Sequence, residues 1–356
     1  MHFYIALPHN MSELQDIRQL TKESLEQQLV NMGEPKFRAK QILEWIWKKG
    51  ALDFNEMSNL SKPLREKLQL EFKFFPVQED VVQRSKDGTV KLAMRLHDSR
   101  IVEGVMIPDE DRATACVSSQ VGCSLSCSFC ATGFLKRERN LTAGEIYDQI
   151  TLLNRHAANA NQGRGLTNVV YMGMGEPLLN YDNVMQSIRL LTSPDALNMA
   201  AKRITVSTSG IERGIRKLAD EGLKFNLALS LHAPTNEKRE KIMDVNRSNK
   251  LEDVIAALNY FYEKTGNKVT FEYILFDGFN DSLEDAENLA KLYKKVPAFI
   301  NLIEYNNVEG VTFKKAKAEK RDAFLAYLRS KNIEAKVRRS RGKDIDAACG
   351  QLANKH

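Results

Sequence analysis

From Arg112 to Arg338 the apolar positions fall into two repeating patterns. Short, nearly continuous apolar runs at 112–117, 168–172, 203–208, 225–231, 268–275, 299–304 and 333–338 read as strands. The stretches between them, 142–157, 182–192, 211–221, 251–264, 281–295 and 317–331, have helical periodicity. This alternation predicts parallel βαβ units. Six or so units predict an α/β fold with an open, partial (β/α)6 barrel, short of the eight that close a ring. In such folds the chemistry sits where the strands end.

Ahead of this region the period changes. Residues 12 to about 74 read as helices. Ser12 and Gln15 have the spacing of a capping box that opens a helix to Met32, and Gly33-Glu34-Pro35 ends it. Residues 37–49 and 62–72 carry two more. Trp45 and Trp47 read as packing residues of this small domain more than as a platform for bases. Residues 77–108 alternate in polarity and turn at Asp87-Gly88 and again near Asp98-Ser99, as an antiparallel ribbon does. The expected division is a helical domain at 1–75, a β-ribbon linker at 76–110 and an α/β core at 111–356. Basic residues around Lys36–Lys49 suit RNA docking by the helical domain, although a structural cap would look the same.

Composition narrows the class. The 356 residues are 43% hydrophobic and 28% charged, ordinary for a soluble globular chain. A net charge of +6 leans mildly toward a polyanionic partner. No apolar run is long enough for a membrane span, and MHFYIALPHN lacks the basic and apolar regions of a signal peptide. The cytoplasm is the expected compartment, so clustered cysteines read as metal or redox chemistry, not as structural disulfides.

Four of the five cysteines lie in Cys116–Cys130, and Cys123, Cys127 and Cys130 form C-x3-C-x2-C. Three thiolates on one short loop, with no fourth ligand nearby, suit an iron–sulfur cluster with one iron left open. The alternative is a zinc loop, but structural zinc sites are closed by four ligands and no second pair appears. With Phe129 before the last cysteine, the loop resembles that of the radical S-adenosylmethionine (SAM) superfamily. The resemblance implies a [4Fe-4S] cluster whose open iron is chelated by SAM, which the reduced cluster then splits to a 5'-deoxyadenosyl radical.

Further candidates sit at strand ends. Gly173-Met174-Gly175-Glu176-Pro177 follows an apolar strand; alone it is weak, but after the cysteine loop it resembles the superfamily motif that holds SAM's amino group, implicating Gly175 and Glu176. Ser207 could meet SAM's carboxylate, or cap a helix, a role Ser209 fits better. Ser230, Leu231 and His232 end another strand and suit ribose hydroxyls; a lone histidine is more often a satisfied core residue. Asn306 could bond SAM's adenosine or simply form a turn.

Five runs together, RATACVSSQVGCSLSCSFCATG, MGMGEPLLN, ITVSTSGI, LALSLHAP and RGKDIDAACGQLA, resemble the RlmN/Cfr family of radical SAM RNA methyltransferases across residues 100 to 353. Glu176-Pro177-Leu178 matches its C2-directed branch. The resemblance implies methylation of adenosine C2 in 23S rRNA and tRNA. Adenine C2 is electron-poor and cannot attack the methyl group of SAM directly. In the implied route Cys349 takes a methyl from one SAM, a radical from a second SAM removes a hydrogen from it, and the carbon adds to C2. A base, implied to be Glu103, removes the C2 proton, and Cys116 attacks the Cys349 sulfur to release product as a disulfide forms. Read alone, Glu103 is an ordinary ribbon glutamate and Cys349 a lone cysteine, a type usually buried and inert. Basic residues flank both thiols: Lys136, Arg137 and Arg139 after the cluster, and Lys336, Arg338, Arg339, Arg341 and Lys343 before Cys349. The implied partners are 23S rRNA, tRNA and a flavodoxin-like electron donor, with the chain a monomer. Two other readings stand beside this one: C8 methylation, and a non-enzymatic, metal-stabilised RNA-binding module.

Overall fold

The computed structural model describes residues 14–160 and 163–354. It opens with a two-residue strand β1 (Gln15–Asp16) and three helices, α1 (Lys22–Asn31), α2 (Arg38–Trp47) and α3 (Lys62–Glu71), followed by β2 (Phe72–Lys73), which pairs parallel with β1. Helix α1 begins nine residues later than the capping-box spacing suggests. Gln15 is extended, and the Thr21 side chain caps the helix by accepting the Ser24 amide. Ser12 lies outside the described residues, as does the segment read for a signal peptide.

An antiparallel run follows: β3 (Gln78–Arg84), β4 (Val90–Arg95) and β5 (Ile101–Asp109), turning at Asp87-Gly88 and at Ser99, whose φ is 65°. Strand β5 pairs antiparallel with β6 (Arg112–Cys116), which opens the barrel. After β6 come a small hairpin, β7 (Gln120–Val121) with β8 (Arg139–Asn140), and helix α4 (Ala143–Ala160). Then β9 (Asn168–Tyr171), α5 (Tyr181–Thr192), β10 (Ile204–Thr208), α6 (Glu212–Ala219) and β11 (Asn226–Ser230) alternate. Two helices, α7 (Asn236–Ile242) and α8 (Leu251–Thr265), lead to β12 (Val269–Leu275). The alternation ends with α9 (Leu283–Tyr293), β13 (Ala298–Glu304), α10 (Ala318–Ser330) and β14 (Ala335–Arg338).

Strands β6, β9, β10, β11, β12, β13 and β14 are neighbours in that order and all parallel. Six strand–helix units plus a last strand make the partial barrel, and β5, β4 and β3 continue its sheet beyond β6. Both faces of the parallel strands are covered, so β12 reads VTFEYIL and is buried along nearly its whole length.

Local chemistry sets the helix starts. At α4 the Thr142 hydroxyl accepts the Glu145 amide while Glu145 Oε2 accepts the Thr142 amide, a reciprocal cap. The N-terminal helices share one apolar core with the barrel. Trp47 is buried and meets the ring of Tyr147 on α4 edge-on at 5.1 Å, and the Tyr147 hydroxyl donates to Trp47 O at 2.6 Å. Trp45 is half-buried, with Lys49 Nζ 3.6 Å above its ring. Among the described residues no helix is long and apolar enough to cross a membrane.

Candidate active site

The cysteine loop leaves β7 through Gly122, whose φ is 72° and whose missing Cβ lets the Lys136 carbonyl press against it. Cys130 N donates to Cys127 O at 3.2 Å and Gly133 N to Cys130 O at 2.9 Å, so the loop winds back on itself. A Cβ on Gly133 would stand 2.6 Å from the Cys127 carbonyl oxygen, which explains that glycine. The result turns Cys123, Cys127 and Cys130 toward one open cleft.

The donor set fits a cluster. Burial pushes the Cys123 thiol up to about 11 and the Cys127 thiol far above its usual range, and the thiols raise one another further. Three crowded, half-buried sulfurs resist ionisation until a strongly positive centre takes them. No three His, Cys, Asp or Glu side chains among the described residues converge closely enough to share one ion. A lone zinc would need them all about 2.3 Å from a single point, whereas a cluster meets each thiolate at a separate iron.

Across the cleft, Gly175 has φ 94° and packs so closely on Gln120 that a Cβ would lie 2.5 Å from its side chain. The Glu176 amide donates to Gln120 Oε1 at 2.9 Å, and the carboxylate accepts the Leu178 amide at 3.1 Å and the Ser209 amide at 2.7 Å. Burial raises the Glu176 pKa, against the pull of these hydrogen bonds. Ser207 and Ser230 end adjacent strands with their hydroxyls 3.4 Å apart. His232 has φ 53°, stands edge-on to Phe129 at 4.9 Å, and accepts the Ile274 amide on Nδ1 at 3.1 Å. Burial depresses its pKa to about 3, so the imidazole is neutral with its proton on Nε2.

Gly175, Glu176, Ser207, Ser230 and His232 thus line the cleft beside the three cysteines. Leu231 and Asn306 do not. The Leu231 side chain is fully buried and its carbonyl accepts from Arg239. Asn306 Nδ2 donates to Ser340 Oγ at 3.0 Å and to Cys349 O at 3.4 Å, holding the segment that carries Cys349.

Cys349 lies on the wall between two cavities. One is the cysteine cleft; the other, of about 820 Å³, is lined by Cys116, Arg339 and Arg341. Arg338 lines both, and its Nη1 is 3.6 Å from Glu272 Oε2. Both Cys116 and Cys349 are free thiols. Burial, with Cys349 nearby, pushes the Cys116 thiol up to about 12. The tail is stitched to the cluster loop: Ala131 N donates to Gly350 O at 2.7 Å and Thr132 Oγ1 to Leu352 O at 2.6 Å.

Other side chains sit differently from their sequence reading. Glu103 lines neither cavity; its Oε2 accepts the Ala353 and Asn354 amides, and Lys91 Nζ is 3.3 Å from its Oε1. Arg139 pairs with Asp98 and Glu145, inside the fold. Glu272 was not anticipated. It is a buried carboxylate whose Oε1 accepts from Asn301 while its Oε2 has no hydrogen-bond partner. One glutamate inside an otherwise apolar, doubly buried strand was the available signal.

Comparison with known proteins agrees with this geometry. Residues 15–73 match the ribosomal RNA large subunit methyltransferase N-terminal domain, and residues 117–292 match the radical SAM superfamily. A probable dual-specificity RNA methyltransferase RlmN of Flavobacterium psychrophilum is 51% identical, covering 96% of this chain and 99% of that protein. Its counterpart in Streptococcus mutans is 44% identical over 94% of each chain. The crystal structure of a radical SAM methyltransferase from Sphaerobacter thermophilus superposes with a TM-score of 0.88 at 42% identity, over 95% of this chain and 99% of that one. With the three-cysteine cleft and paired thiols in place, the chain belongs to the RlmN family of dual-specificity RNA methyltransferases, which use a [4Fe-4S] cluster and SAM.

Proposed function

We propose that this chain methylates C2 of adenosine 2503 in 23S rRNA and of adenosine 37 in tRNA, with Cys349 as the carbon carrier. One observation carries the reading: Cys349 faces the cluster cleft on one side and the Cys116 cavity on the other. Cys123, Cys127 and Cys130 would hold the cluster, and Gly175, Glu176, Ser207, Ser230 and His232 would cradle SAM, with the buried Leu231 supporting the strand end and Asn306 bracing the carrier segment. The cluster and SAM together supply the one-electron chemistry that activates the carried carbon.

The chain's residues do the rest. Cys349 receives the methyl group as the nucleophile, with the Arg338 guanidinium lining the same two cavities. It then presents that carbon to an adenine in the second cavity, where Arg339 and Arg341 offer cations to the RNA backbone. Glu103 takes the C2 proton once the tail amides release its carboxylate. The Cys116 thiolate attacks the Cys349 sulfur and a disulfide forms; the Cys349 S–C bond breaks with its electron pair left on the adenine-bound carbon, which takes up a proton to become the methyl group of the released RNA. The helical domain at residues 1–75 docks the RNA, ahead of the 76–110 ribbon and the 111–356 core. The chain works in the cytoplasm as a monomer, drawing electrons from a flavodoxin-like donor.

The test is mass spectrometry of digested rRNA and tRNA from cells lacking the gene and complemented with it. Restored 2-methyladenosine that vanishes with Cys349→Ala is the expected result. Appearance of 8-methyladenosine instead, or 2-methyladenosine at the normal level with Cys349→Ala, sinks the reading.

A further inference from the structure

Arg239 on α7 heads the large side chains with no solvent exposure. Its guanidinium donates from Nε to Leu231 O at 3.1 Å, from Nη1 to Asn246 Oδ1 at 3.0 Å, and from Nη2 to Ser209 O at 2.5 Å and Ser230 O at 3.1 Å. All four acceptors are neutral. Other buried cations of this protein sit on carboxylates, as Arg18 does on Asp16 and Asp148 and Lys91 on Glu103. A guanidinium among dipoles alone is costly to bury, and the cost falls when an anion comes within reach.

The position says which anion. Helix α7 lies against the cysteine loop: Ser128 N donates to Ile242 O at 3.0 Å, and Phe129 packs in one cluster with Ile242 and Met243. The ionisable groups closest in effect to Arg239 are Cys127 and Glu176, one a cluster cysteine and the other on the SAM side of the cleft. A cluster held by thiolates gains a further negative charge on reduction, so a nearby cation favours its reduced form.

We propose that Arg239 is the fixed positive charge that balances the cluster from behind, acting through space, and that it raises the cluster's reduction potential. It is a positioning residue, bracing two strand ends, those of β10 and β11, while setting the field at the cleft. The inference rests on the cluster reading of the three cysteines, and the experiment separates the two.

Iron and sulfide are measured first in reconstituted full-length protein; a wild-type chain that takes up neither overturns the cluster reading and this inference together. The midpoint of the loaded cluster is then followed by redox titration with electron paramagnetic resonance, without SAM. Arg239→Met and Asn246→Asp are the variants. The second keeps the Nη1 acceptor and makes it a carboxylate, at the loss of the Asn246 Nδ2 bonds to Asn236 and Glu240, and gives a second measurement where Arg239→Met does not fold. Both midpoints should shift to lower potential, with Arg239→Lys close to wild type. A loaded Asn246→Asp cluster with an unshifted midpoint, or a shift that appears only after SAM is added, overturns the proposal.

Discussion

Glu103 and Ala353 are hydrogen-bonded across 250 positions of sequence, with the Ala353 amide 2.8 Å from Glu103 Oε2. The Asn354 amide shares that oxygen at 3.1 Å, and the buried Lys91 sits at the other. The ribbon strands therefore clamp the tail a few residues past Cys349. Removing Lys91 strands a carboxylate in the interior, which costs about 3–5 kcal/mol. Lys91→Met should lower the unfolding midpoint, and adding Glu103→Gln should recover part of the loss. Thermal melts of the single and double variants check this; a double variant no more stable than Lys91→Met removes the ion-pair account.

Cys116 is buried, free and next to Cys349. On the proposed route, without the Cys116 thiol the Cys349 sulfur has no partner to displace the methylated RNA. Cys116→Ala should stop after one adduct per chain, seen as protein that carries RNA through a denaturing gel. Unbound RNA with normal turnover would exclude the release role.

What could be read in advance was local or periodic. All seven barrel strands were placed to within two residues at either end, because continuous apolar runs between amphipathic helices leave little freedom. The cysteine spacing and the Gly-Met-Gly-Glu turn are contiguous, so they too were visible. Helix α7, NEKREKI, was missed because it is charged on most of its surface and lacks an apolar period. Glu272 takes its meaning from Asn301 and Arg338, far along the chain; Arg239 and Lys91 have nearer partners, but these lie on turns and a neighbouring strand that no apolar period marks. Arg139 misled for the same reason: its charge is committed to Asp98 and Glu145.

Gly122 holds φ 72° with the Lys136 carbonyl where a Cβ would go. Gly122→Ala must both strain the backbone, at about 1–3 kcal/mol, and push the β8 side of the hairpin away from Cys123. Expected results are a lower melting point and iron incorporation well below wild type. Full iron loading at an unchanged midpoint would show that the loop tolerates the shift.

His232 gives a pH signature. Its pKa falls from 6.5 to about 3 on folding because burial disfavours the imidazolium. Between those values the unfolded chain binds a proton that the folded one refuses. Its stabilising contribution is therefore complete above about 6.5 and is lost as pH falls toward 3, by up to about 1.4 kcal/mol per pH unit. His232→Gln should flatten the denaturant-unfolding profile over that window relative to wild type. Parallel profiles from pH 7 to 4 would mean that the folded imidazole titrates normally.

Arg18 joins the helical N-terminal region to the barrel. Its buried guanidinium meets Asp16 at 2.8 Å, Asp148 on α4 at 2.7 Å and the Phe75 carbonyl at 2.6 Å. Asp148 also accepts the Val77 amide at 3.0 Å, so the joint includes the start of the ribbon. Arg18→Met leaves two facing carboxylates with no cation, a loss of about 3–5 kcal/mol concentrated at this joint. The cluster cleft is built on other elements and should survive. Reductive cleavage of SAM without RNA should stay near wild type while RNA methylation falls steeply, and proteolysis should cut first near residues 73–77. If both reactions fall together, the helices serve the barrel as a structural cap. If neither falls and the cut site is unchanged, the Trp47–Tyr147 packing alone holds the joint and the ion pair is dispensable.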